Sequence, residues 1–166
     1  MRNLVAFPIL LLGVLFQSAV LSQLRLVSGF ADFILVWLAA WSLQEQVDSA
    51  PQWAAIGALF TGFVTHVPAI AVAAGYFSVV ILAKLLSRRV WQAPILAMLA
   101  VTLLGTILVQ AETYLVLRLT GTPLPLLGSL TAVTIPSLIL NLLLAIPVFA
   151  WARDLAAWTY PEFAQA

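Results

Sequence analysis

Long apolar runs separated by brief polar interruptions occupy almost the whole chain, and these interruptions mark its elements. The first run covers residues 4–21 and stops at the polar stretch from Ser22 to Arg25 and at Gly29. A second, over 30–43, ends in Gln44, Glu45, Gln46 and Asp48. Beyond Pro51 an apolar region from Gln52 to Leu86 is interrupted at His66 and Pro68. As a single helix rising ~1.5 Å per residue this region would be about 53 Å long, well beyond a hydrocarbon core of roughly 30 Å. It therefore predicts two helices, 52–67 and 69–86. Pro94 opens a further helix over 94–119, and the last apolar run predicts one over 129–152. Helices satisfy their own backbone hydrogen bonds in lipid, and these runs are too continuous for the alternating strands of a barrel. The chain reads as an all-α membrane protein, a single polytopic domain of about six transmembrane helices.

Composition sharpens that reading. Of 166 residues, 64% are hydrophobic and 8% charged, so the short connections have too little mass to build a soluble catalytic or ligand-binding domain. Whatever the protein does takes place in the bilayer or at its faces. A net charge of +1 gives no reason to expect a nucleic-acid partner. The absence of cysteine excludes disulfides and thiolate chemistry, and one histidine excludes a histidine-rich metal site. Arg2 ahead of an apolar run, with Ser18, Ala19 and Val20 behind, has some features of a cleaved signal, but the run continues past those small residues and reads as a span.

The seven lysines and arginines set the orientation. Six spans with a cytoplasmic amino terminus put Arg2, Lys84, Arg88, Arg89 and Arg153 inside and Arg25 and Arg118 outside. Five spans with an external amino terminus exchange only Arg2 and Arg25. Under both, the basic loop of Lys84, Arg88 and Arg89 faces the cytoplasm, where anionic lipid is its simplest partner. The segment from Asp154 to Ala166, with Trp158, Tyr160 and Pro161, reads as an interfacial tail.

Polar groups inside apolar spans are costly unless paired, so they carry most of the functional information. Six spans bring Arg25, Asp32, His66, Glu112 and Arg118 into one external layer. There Asp32 and Glu112 have Arg25, Arg118 and His66 as candidate partners. Either the layer forms a substrate pocket or docking surface, or its members sit solvated at headgroup depth. Gln17 and Asn141 lie deeper and read as interhelical hydrogen-bonding groups. Ala54, Ala58 and Gly62, with Ala71 and Gly75 on the next span, form small-residue stripes that let helices approach closely. Pro136 and Pro147 flank Asn141 and make the last helix the most irregular. No grouping with the spacing of a catalytic, phosphate-binding or metal site occurs, and the chain reads as non-catalytic and free of cofactors.

The order of these features resembles the MreD family of bacterial rod-shape membrane proteins. The resemblance rests on Leu15, Phe16, Gln17 and Ser18 near the end of the first span, and on Ala31, Asp32 and Phe33 where the family has Pro-Asp before a run of leucines. Gly57 and Gly62 fall in a glycine-rich third span, and Leu140 to Pro147 match an asparagine, apolar run and proline. Ala31 stands where proline is usual, and His66 where the third span typically ends in an aspartate. The resemblance implies a non-catalytic scaffold in the bacterial cytoplasmic (inner) membrane. It would bind MreC, a single-span protein, and work with MreB, RodA and a penicillin-binding transpeptidase in lateral peptidoglycan synthesis. It also implies a bundle like that of the substrate-capturing component of energy-coupling-factor transporters. That family supplies the alternative reading, in which Asp32, His66, Glu112 and Arg118 line a pocket for a vitamin or other small molecule.

Overall fold

A computed structural model describes residues 5–23, 28–87, 93–122 and 125–160. Arg25, Arg88 and Arg89 lie outside these described residues. Helix α1 (Ala6–Ala19) is followed by a 3-10 turn (Leu21–Gln23), then α2 (Phe33–Ser42), α3 (Ala50–Val64), α4 (Ala69–Ser87) and α5 (Pro94–Leu119). Helix α6 (Leu126–Ser129) passes through a π-helical segment (Leu130–Thr134) into α7 (Ile135–Thr159). Three helical stretches are long and apolar enough to cross a membrane: Ala69–Ser87, Pro94–Leu119 and Leu127–Thr159. By contrast, α1, α2 and α3 have 14, 10 and 15 residues, short of the ~20 that a helical crossing needs. Six apolar runs therefore correspond to three long helices and three short ones. Phe63, Ile70, Leu119 and Leu127 are each more than three-quarters exposed on the outside of the bundle. So large an apolar surface suits lipid rather than water, and the chain is an α-helical membrane protein.

All ten residues of α2 are buried. Its sequence is apolar on every side until Ser42, and a helix of that kind is stable only when surrounded. Helices α1, α3, α4, α5 and α7 pack around it. Close approach depends on glycine: a Cβ at Gly13 of α1 would lie 2.9 Å from the Phe33 ring, and one at Gly57 of α3 would lie 3.0 Å from Ile34 Cγ2. Ala54 and Ala58 are buried within the bundle, whereas a Cβ at Gly62 would make only ordinary contact, 3.4 Å from Ala69 Cβ.

Several boundaries differ from those read along the sequence: α3, for example, covers Ala50–Val64 where the sequence pattern predicts 52–67. The run 30–43 is helical only from Phe33, and residues 28–32 are not helical. The last helix does not stop at 152 but continues to Thr159, because Ala152, Ala156 and Tyr160 recur every four residues on its buried face. Tyr160 is thus not an interfacial aromatic: its ring lies 6.4 Å from that of Trp41 and its hydroxyl 3.2 Å from Ser49 Oγ. Trp158 is exposed. Trp41 and Trp53 stack at 4.3 Å at this same end, and Lys84 Nζ donates to the Val47 carbonyl at 2.6 Å, tying α4 to the α2–α3 connection.

Candidate functional site

At its amino end α2 begins inside the bundle, where its first amides have no helical acceptors. Side chains distant in sequence supply the acceptors. Asp32 is the N-cap, accepting the Leu35 N–H through Oδ1 at 3.0 Å. Gln17 Oε1 of α1 accepts the Ile34 N–H at 3.2 Å, and Asn141 Oδ1 of α7 accepts the Asp32 N–H at 2.8 Å. Asn141 Nδ2 in turn donates to Thr106 Oγ1 of α5 at 3.0 Å. Tyr76 of α4 donates its hydroxyl toward Asp32 Oδ1 and Oδ2, at 3.1 and 3.3 Å, with Thr61 Oγ1 of α3 also at 3.3 Å. Five helices thus meet at the start of α2.

The preceding segment runs along α7, and its alternate amides find acceptors there. Ser28 N–H donates to the Ala132 carbonyl at 3.0 Å, Phe30 N–H to Ser137 Oγ at 3.1 Å, and Asp32 N–H to Asn141. Ser137 and Asn141 stand four helical residues apart, about 6 Å, and receive the Phe30 and Asp32 amides, two residues apart in the chain. Proline creates the first of these acceptors. Pro136 has no N–H to give to the carbonyl four residues back, which leaves Ala132 free to receive Ser28. Gly29 permits the approach, since a Cβ there would lie 2.7 Å from both Pro136 Cβ and Ser137 N and 2.8 Å from the Val133 carbonyl oxygen.

Above this junction lies a cavity of about 960 Å³, open at one end of the bundle. Its walls come from the carboxyl-terminal halves of α1, α3 and α5, the amino-terminal parts of α2 and α4, the π segment, and Asn141 of α7. Asp32, Gln17, Tyr76, Thr106 and Asn141 line it among aliphatic side chains, and His66, Gln110 and Tyr114 line it elsewhere.

Of the expected external layer, Asp32 and His66 reach the cavity wall. Among the described residues neither Asp32 nor Glu112 pairs with Arg118 or His66. Asp32 is held by Tyr76 and by backbone amides. Glu112 is turned toward α4, accepting from Ser78 Oγ through Oε1 at 2.8 Å, while its Oε2 is buried without a hydrogen bond. Arg118 is exposed at the end of α5 and donates to Tyr114 one turn back. Pro147 lies within α7. Sequence reasoning did not single out Tyr76, Thr61, Thr106 or Ser137. The available signal was Ser137 four residues before Asn141, which places two polar groups on one face of an apolar helix.

Because the buried Tyr76 hydroxyl donates to a carboxylate, Tyr76→Phe should lower the unfolding free energy by about 2 kcal/mol. Titration with a denaturing detergent in mixed micelles measures this, and an unchanged midpoint would show that the hydroxyl is replaceable. No family model, curated protein or solved structure matches the chain.

Proposed function

We propose that this protein is a multi-pass, non-catalytic scaffold of the MreD kind. In this reading it sits in the bacterial cytoplasmic membrane and binds an MreC-type single-span partner within the cell-elongation machinery. One observation carries the reading. Three of the polar residues behind the resemblance, Gln17, Asp32 and Asn141, lie far apart in the chain yet join in one hydrogen-bonded junction at the start of α2. A pattern of weak, scattered motifs gains weight when its members prove to be parts of one device. That device organises the bundle by engaging the chain's own backbone, which suits a scaffold better than an enzyme.

Six crossings fit the same reading. The ends of the helices alternate, so that α1, α3 and α5 finish where α2, α4 and α6 begin, around the cavity mouth. Residues 28–32 lead into the ten residues of α2, so the second crossing is only partly helical. Irregular backbone at membrane depth is tolerated where protein surrounds it, as it does here.

Co-expression with the MreC-type protein of the same organism, followed by affinity capture in mild detergent, tests the reading. The expected result is a complex that survives gel filtration together with the captured chain. A folded protein eluting alone, with the partner in the flow-through, would overturn it.

A further inference from the structure

We infer that the end cavity is a ligand site for a small apolar molecule bearing a hydrogen-bond donor, best a protonated amine, and that Asp32 receives it. At about 960 Å³ the cavity falls at the upper end of the roughly 300–1,000 Å³ typical of small-molecule pockets. Val14, Leu35, Val64, Val72, Ile107 and Val133 supply aliphatic wall, which fits an apolar body.

The charges choose the head group. No lysine or arginine is among the described residues lining the cavity, whereas Asp32 stands at its floor. An amine entering the cavity would meet this carboxylate. Asp32 also presents its carboxylate to the cavity. A carboxylate offers about four lone-pair positions. Here Oδ1 takes the Leu35 amide and the shorter arm of the Tyr76 hydroxyl, Oδ2 takes the longer arm at 3.3 Å, and the Ile34 amide also lies against the carboxylate. A carboxylate facing aliphatic walls is costly unless further donors reach it, and a donor-bearing ligand supplies one. A lipid acyl chain of the same bulk would bring no donor to the carboxylate, so the floor favours a ligand that carries one. Gln110 lines the wall with no hydrogen bond of its own among the described residues and provides a second polar contact.

The site is tested on the full chain in nanodiscs, with empty nanodiscs as the reference. The probes are dansylcadaverine, an apolar primary amine, and 6-(dansylamino)hexanoic acid, which carries a carboxylate on the same spacer. The structure calls for saturable binding of the amine at least tenfold tighter than that of the acid. Asp32→Asn keeps an N-capping acceptor while removing the charge, and it should weaken amine binding about tenfold, or roughly 1.4 kcal/mol. Val67→Trp fills the mouth of the cavity without touching the junction and should do the same, so the test survives if Asp32→Asn fails to fold. Three outcomes overturn the site: no amine binding above empty nanodiscs, amine binding indifferent to both variants, or acid bound as tightly as amine. The last would identify a lipid-tail groove.

Discussion

Gly29→Ala lowers the unfolding free energy by about 3 kcal/mol, although it adds a single methyl group. The added Cβ would sit 2.7 Å from Ser137 N and 2.8 Å from the Val133 carbonyl oxygen, both backbone atoms of the π segment and α7 that cannot turn aside as a side chain would. Relief comes only by lifting residues 28–32 off α7. That movement breaks up to three hydrogen bonds: from Ser28 to Ala132, from Phe30 to Ser137, and from Asp32 to Asn141. Each contributes about 1 kcal/mol net, and more where no water replaces the lost partner. Gly62→Ala is the matched control. Its Cβ would meet Ala69 at an ordinary 3.4 Å, and the change should stay within about 0.5 kcal/mol. Denaturing-detergent titration in mixed micelles compares the two directly. Equal midpoints for both variants would mean that the extended segment is not docked on α7 as described.

Asn141→Leu is expected to cost about 3 kcal/mol, more than the roughly 1 kcal/mol usual for a hydrogen bond between membrane helices. Most such bonds can be exchanged for others when one side is removed. This one serves a backbone amide outside any helix, and Asp32 N–H has no carbonyl four residues back to fall back on. Loss of the amide also strands Thr106 Oγ1 at a position that is 1% exposed. A double-mutant cycle isolates this second effect. Thr106→Val should cost about 1 kcal/mol in the native background and close to nothing beside Asn141→Leu, because removing both partners of a buried bond is nearly neutral. Additive costs would show that Asn141 and Thr106 are not coupled.

Much of the architecture was legible because lipid imposes a simple rule: a long apolar run becomes a helix that satisfies its own backbone. Pro94 opens α5, which ends at Leu119 as the sequence reading expects. The break around His66 and Pro68 separates α3 from α4. The residues of the junction were legible singly, as costly polar groups in apolar surroundings. Their partnership was not. Asp32 was matched with cations on the strength of charge, whereas the fold gives it a tyrosine hydroxyl and backbone amides, and Glu112 faces Ser78 instead of the cavity.

The residues 30–43 show where local information ends. Residue by residue they favour a helix, since nothing from Phe30 to Trp41 except Asp32 interrupts the apolar run. An extended segment at that depth is stable only if other helices receive its amides, and those receivers lie more than 100 residues away in α7. Composition and run length were enough to establish a helical membrane protein with a handful of costly polar groups. Where α2 begins, which side chains meet there, and that a cavity opens above them followed from contacts between distant helices, because each buried donor had to find an acceptor in a medium that offers no water.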